Sequence, residues 1–317
     1  MSSLSPAAAA PRHHALGIAC GAGAGALWGL VFLAPELVRG FSPLMLTIGR
    51  YLCYGLIAVA LLAPRWRSLR AQVSRQQWRQ LFWLSLAGNT IYFLLLAGAV
   101  QNGGIAMTSL VIGFLPVAVT IIGSRDHGAV PLSKLIPSLL ACVVGAACIG
   151  WDAFAEDTSA SLPGLLCAVG ALVSWTIFAV GNARCLGRLQ HITTQDWNLL
   201  TGVVTGAQSL LLVPLALLLE TAQHGANDWL MFGAVSASIA LLASIFGNAL
   251  WNRMSRLLPL TLVGQMILFE TLFALLYGFL WEWRWPSMME IAALACVAVS
   301  VSTCLAAHRQ ADQSPSH

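Results

Sequence analysis

The chain has 317 residues, of which 58% are hydrophobic and 9% charged, with a formal charge of +4 and a mean hydropathy of +0.78. A soluble domain carries roughly 25% charged residues, so too few charges remain here to clothe a water-soluble surface, and lipid must solvate most of the chain. The small positive balance falls in loops and is no argument for nucleic acid as a partner.

Residues 1–14, with Pro6, Pro11, Arg12, His13 and His14, are expected to form a short disordered lead. The apolar run from Ala15 is longer than the roughly 7–15 residues of a signal-peptide core and leads into further spans, so it reads as a first permanent helix. At about 20 apolar residues per crossing, spans are placed at 15–35, 43–63, 80–100, 104–123, 132–150, 162–182, 198–219, 229–251, 258–280 and 288–307. Several connections are only a few residues long, which favours antiparallel hairpins of neighbouring helices.

Thirteen of the sixteen basic residues fall on one side of these spans. They are Arg65, Arg67, Arg70, Arg75 and Arg79 after span two, Arg125 and Lys134 after span four, Arg184 and Arg188 after span six, Arg253 and Arg256 after span eight, and Arg12 and Arg309 at the ends. The other side has Arg39 and Arg284, while Arg50 lies within span two. The basic side is cytoplasmic, so both termini are expected inside. The acidic Glu36, Asp152, Glu156, Asp157, Glu220, Asp228, Glu282 and Glu290 fall outside, a bias of less weight. Trp66, Trp78 and Trp83 mark the inner interface, and Trp151, Trp229, Trp281, Trp283 and Trp285 the outer one, as aromatic belts do.

Ser85–Tyr92 reads SLAGNTIY and Ser244–Trp251 reads SIFGNALW, 159 residues apart and about half the chain. They lie in the third and eighth spans, which cross in opposite directions. Two further alignments keep the same order: Phe114-Leu115-Pro116 before Gly123 matches Phe269-Glu270-Thr271 before Gly278, and Trp28 in span one matches Trp175 in span six. The expected fold is therefore an all-α membrane protein of ten transmembrane helices, built as two inverted five-helix repeats. The divisions are 1–14 (cytoplasmic N-terminus), 15–155 (first repeat), 156–308 (second, inverted repeat) and 309–317 (cytoplasmic tail). Inverted repeats of this kind place a transport site near mid-membrane, where the halves meet.

The candidate site residues are the polar and aromatic groups inside spans. Glu270 lies about 20 Å from the cytoplasmic end of span nine at 1.5 Å per residue, where an ionised carboxylate is costly and faces a partner or a wet cavity. It is either a proton-coupling or substrate-amine site, or one half of a structural pair with Arg50 at similar depth, or a side chain snorkelling to an interface. The pair could equally act as a gate. Asn89 and Asn248, related by the repeat, must each find a partner in hydrocarbon: a solute at mid-depth, or a neighbouring helix. Gly88 and Gly247 before them allow close helix approach. Trp28, Tyr92 and Trp175 line a cavity or pack in the core. Gln265 lies five residues before Glu270, about 140° around the helix, so both need not face one cavity.

Gly17, Gly21, Gly25 and Gly29 form a four-residue stripe suited to helix packing. They lie inside a span, without the preceding strand that a phosphate loop needs. The eight cysteines contain no CxxC and read as small packing residues rather than disulfides or metal ligands. No catalytic residue, metal or cofactor is expected.

Three segments carry a resemblance. Gly25–Leu52, with the tryptophan of helix one (Trp28), Ser42-Pro43 and Arg50, Ala97–Gly123, with Ala106 and Pro116, and Leu258–Glu282, ending near Glu282, resemble the EamA-type members of the drug/metabolite transporter superfamily. Two positions depart from the pattern: Thr271, preceded by Glu270, stands where the late repeat usually has proline, and His127 replaces an acidic residue after helix four. The resemblance implies a ten-helix carrier, an exporter of metabolites, amino acids or drugs by alternating access, driven by protons or exchange. It implies a bacterial inner membrane and a small-molecule substrate; because both arms of the repeat lie in one chain, no dimer is required to complete the site. The alternative is a membrane-embedded enzyme acting on a lipid-linked substrate, although no catalytic constellation lies near an interface. A receptor or scaffold role would need longer loops.

Overall fold

The computed structural model describes residues 6–126, 129–155, 162–189, 191–220, 222–283 and 285–313. The sequence readings at His127, Glu156, Asp157 and Arg284 lie outside the described residues. So do those that concern the side chains of Arg12, His13, Ala106, Trp151, Asp152, Glu282 and Glu290.

Helix α1 (Pro6–Gly29) begins earlier than the disordered lead of residues 1–14 would allow. The run Ala7–Ala10 explains this, because alanine is the strongest helix former. A 3₁₀ turn (Leu30–Phe32) and the short α2 (Ala34–Leu37) complete the first crossing. Helix α3 (Pro43–Leu62) starts where the sequence signals a start: the Ser42 hydroxyl accepts from the Met45 amide at 3.3 Å, and Pro43 occupies the first turn. The short α4 (Trp66–Gln72) carries part of the arginine cluster, and α5 (Arg75–Ser85) opens with a reciprocal Ser74–Gln77 capping box.

A π-helical segment (Leu86–Ile91) joins α5 to α6 (Tyr92–Ile112). Gly104, at φ 77°, breaks α6 at the predicted boundary between spans three and four, a backbone angle glycine adopts without steric cost. Next come α7 (Leu115–Gly123), α8 (Leu132–Ala155), α9 (Leu162–Arg188) and α10 (Thr194–Leu219). Helix α11 (Ala226–Ile239) runs through a second π-helical segment (Ala240–Gly247) into α12 (Asn248–Leu257). Helices α13 (Leu260–Met266), α14 (Leu268–Glu282) and α15 (Met288–Gln313) end the described chain, and residues 309–313 belong to α15.

Eight helices among the described residues are long and apolar enough to cross a membrane. Leu132–Cys148 is a shorter apolar helix, and the predicted fourth span is divided between the end of α6 and α7. Large apolar side chains such as Leu211, Leu218 and Leu230 are more than 75% exposed, an arrangement suited to lipid rather than water.

The helices pack in defined pairs: α3 on α10, α6 on α9, α8 on α15, α7 on α13, and α1 on α12 and α14. The glycine stripe of α1 makes its contact possible. A Cβ on Gly17 would lie 2.7 Å from Leu258, and one on Gly25 would lie 2.8 Å from the Glu270 amide nitrogen. Gly55 and Gly206 do the same where α3 crosses α10, a Cβ on either meeting the other's Cα at 2.7 Å.

Candidate functional site

The first octet contains the π-helical segment Leu86–Ile91, and the second begins inside the other π-helical segment, sharing Ser244–Gly247 with it. A π turn widens the helix and leaves backbone carbonyls for other donors to satisfy. Neighbouring helices supply them. The Ser174 hydroxyl donates to the Ala87 carbonyl at 2.7 Å, and just before the segment the Gln208 amide adds a second bond, at 2.9 Å, to the Phe82 carbonyl of α5, which already accepts from the Leu86 amide. At the second segment, the Asn198 amide donates to the Ile245 carbonyl at 2.9 Å, and the Trp28 indole to the Ala243 carbonyl at 3.1 Å. The glycine of each octet seats an aromatic ring. A Cβ on Gly88 would fall 2.2 Å from Phe178, and one on Gly247 would fall 2.8 Å from the Trp28 Nε1.

These segments border a cavity of about 20 Å³ at the centre of the bundle. Helix α1 supplies Trp28 and the 3₁₀ turn after it Val31, α3 supplies Arg50 and Tyr51, and α9 supplies Trp175 and Phe178. Gly88, Asn89 and Tyr92 come from the first octet, Asn248 from the second, and Glu270 from α14. The structure thus brings seven of the eight sequence-predicted residues to one cavity: Glu270, Arg50, Asn89, Asn248, Tyr92, Trp28 and Trp175. Gln265 is elsewhere. Its amide donates to Thr120 at 3.3 Å and its carbonyl accepts from Ser300 at 2.9 Å, tying α13 to α7 and α15.

Arg50 and Glu270 line the same cavity without forming one of the three ion pairs among the described residues. Arg50 Nε donates to the Ser244 hydroxyl at 3.2 Å, and its guanidinium carbon lies 4.4 Å from the Phe93 ring centre and 5.0 Å from that of Tyr51. These ring faces attract a cation. Glu270 is 4% exposed, and its Oε2 has no hydrogen-bond partner in the protein. The Tyr92 hydroxyl is likewise buried without one. Buried polar groups are nearly always hydrogen-bonded, so two unpartnered groups on one cavity mark it as a place for a ligand or water.

The asparagines differ in environment. Asn89 donates to Thr205 at 3.3 Å, while Asn248 accepts from the Trp28 indole at 3.1 Å. Trp28 also packs on Trp175 and Trp251, with ring centres 5.8 and 4.9 Å away. Trp251, which backs Trp28 and Trp175 without lining the cavity, was not singled out, although the octet alignment pairs it with Tyr92. Tyr51 and Phe178 were missed too; they follow Arg50 by one residue and Trp175 by three, on helices already singled out. Ser244 and Asn198 act only through tertiary contacts that no local signal announces. All eight cysteines are free thiols.

The EamA-like transporter family model matches residues 15–151. The inner membrane protein YtfF of Escherichia coli (strain K12) is 31% identical over 296 residues, covering 88% of this chain and 91% of that protein. A crystal structure 18% identical in sequence superposes with a TM-score of 0.68 over 91% of this chain and 98% of its own. At that identity the likeness concerns the fold alone.

Proposed function

Because this chain belongs to the EamA-like transporter family, we propose that it is a secondary carrier that exports small organic solutes by alternating access, with the central cavity as its solute site. Family membership makes it a transporter and not an enzyme. The single observation that carries the site is the meeting of Glu270, Arg50 and an aromatic wall in one buried cavity, with a carboxylate oxygen left unpartnered.

The cavity, at about 20 Å³, is far below the roughly 300 Å³ at which small-molecule pockets begin. An organic solute therefore requires the surrounding helices to separate, as alternating access demands. In this reading, ten spans form two inverted five-helix repeats, 15–155 and 156–308. Support comes from the packing. Exchanging each span with its repeat partner turns the α6–α9 contact into the contact of α1 with the second π segment and α12. It turns α1–α14 into α7–α9, and leaves α3–α10, α7–α13 and α8–α15 unchanged. A two-fold axis in the membrane plane has this effect.

Glu270 is the solute-amine or proton-coupling group, and Arg50 its charged counterpart across the cavity. Asn89, Asn248, Tyr92, Trp28 and Trp175 complete the wall, with Gln265 as a support behind it. One chain supplies the whole site, so a monomer suffices. The similarity to an inner membrane protein favours a bacterial inner membrane, and the arginine distribution favours cytoplasmic termini. The test is flux in proteoliposomes across amines, amino acids, nucleosides and sugars, preceded by a thermal-shift screen of the purified protein. No downhill, exchange or proton-driven flux of any solute would sink the carrier reading.

A further inference from the structure

The first crossing, from α1 through the 3₁₀ turn to α2, separates two spaces. Trp28 and Val31 face the central cavity, whereas Leu27 and Leu30, with Leu33 and Leu37 beyond them, line a groove of about 280 Å³. Val235, Ser238 and Ile239 of α11 and Leu242 of the second π segment form its other wall. Both walls belong to helices long and apolar enough to cross the membrane, so the groove opens on hydrocarbon. Both are also locally irregular, one through the 3₁₀ turn Leu30–Phe32 and the other through the π segment.

The Trp28 indole lies across the seam between these walls. Its one N–H donates to the Ala243 carbonyl and the Asn248 Oδ1, each at 3.1 Å, and its ring rests on Gly247. Leu27 on the groove and Trp28 on the cavity are consecutive residues, as are Leu30 and Val31, so one stretch of chain has a face on each space. The two spaces differ in chemistry: one is an apolar trough, and the other is a polar pocket where the unpartnered Glu270 oxygen lies. The Arg50 guanidinium is already engaged by Ser244, Phe93 and Tyr51, so the free capacity at the polar end is for a hydrogen-bond-donating cation.

We propose that groove and cavity form one bipartite site for an amphiphilic amine: the alkyl tail lies between α1 and α11, the ammonium group reaches Glu270, and Trp28 is the side door between them. The assignment of the head group rests on the solute-site reading of the cavity. The tail enters from the bilayer, and a solute without a tail has no use for this door.

The test uses the full chain in lipid nanodiscs with two probes, n-butylamine and n-dodecylamine carrying a diazirine at its tail end. Photolabelling is expected to concentrate on residues 27–37 and 234–242. Filling the groove with Ser238→Trp should weaken dodecylamine binding about tenfold, the equivalent of roughly two buried methylenes, and leave butylamine binding unchanged. Leu33→Trp, on the opposite wall, should do the same. Labels spread evenly over α8, α10 and α15, or unchanged dodecylamine affinity in both variants, would overturn the proposal. Glu270→Gln should weaken both amines, and unchanged affinity for both would overturn the head-group assignment. Proteoliposomes that bind both amines in this pattern but show no flux would refute the carrier reading while upholding the bipartite site.

Discussion

Gly88→Ala would test how the first octet shapes the cavity. The new methyl carbon would lie 2.2 Å from both Cγ and Cδ2 of Phe178 and 2.8 Å from its Cβ. Carbon atoms pack at about 3.5–4.0 Å, so the ring must retreat by more than about 1 Å. It has little freedom: Phe178 is 7% exposed, and the Trp175 ring centre is 5.9 Å away. Overpacking of this kind costs about 1–3 kcal/mol, against a gain of about 0.5–1 kcal/mol for replacing glycine in a helix. The net expectation is a loss of about 1–2 kcal/mol. Gly233→Ala is the control, because nothing lies within 4 Å of its Cβ position. Thermal unfolding of purified variants should show Gly88→Ala below wild type and Gly233→Ala at or above it. Adding Phe178→Leu should recover part of the loss, as a double-mutant cycle would register. If Gly88→Ala is as stable as Gly233→Ala, or Phe178→Leu worsens it additively, the close seat of Phe178 on Gly88 is not a real constraint.

Other substitutions separate coupling from architecture. Glu270→Gln should abolish uphill transport in proteoliposomes and preserve solute exchange; wild-type uphill transport in that variant would end the coupling role. Asn198→Leu removes the side-chain donor to the Ile245 carbonyl and one of the two acceptors of the Tyr54 hydroxyl, while the main-chain carbonyl of residue 198 still accepts from Tyr54 at 2.7 Å. Losing these two side-chain bonds should cost about 1–3 kcal/mol, read as a lowered unfolding temperature. Gln265→Leu should also lower stability, since Thr120 and Ser300 each lose one of their partners, yet leave solute affinity intact by thermal shift; a large affinity loss would bring Gln265 into the site. Arg184→Ala should change stability by less than about 1 kcal/mol, because its partner Asp126 and the arginine are both more than one-third exposed.

Membrane insertion and helix placement were legible in the sequence because lipid imposes a simple rule. Each crossing needs a long apolar run, and charged residues remain in the loops. Seven of eight chosen side chains meet at one cavity, because a polar group deep in an apolar span needs a partner, and few places provide one. One reading changed near the N-terminus: residues 6–14, expected to be disordered, are helical.

Hydropathy could not distinguish an α turn from a π turn, since both satisfy the backbone within one segment. Tertiary donors such as Ser174, Asn198 and Trp28 meet the carbonyls of the π segments. Nor could periodicity decide whether Arg50 would pair with Glu270 or rest on Ser244 and two aromatic rings. Equal depth in the membrane permits either arrangement; the rotation and crossing of α3, α6 and α14 select one. The order of residues thus specified which groups had to be sheltered from lipid, while the packing of distant helices decided which of them face one another, because contacts across the bundle depend on helix rotation that no local pattern encodes.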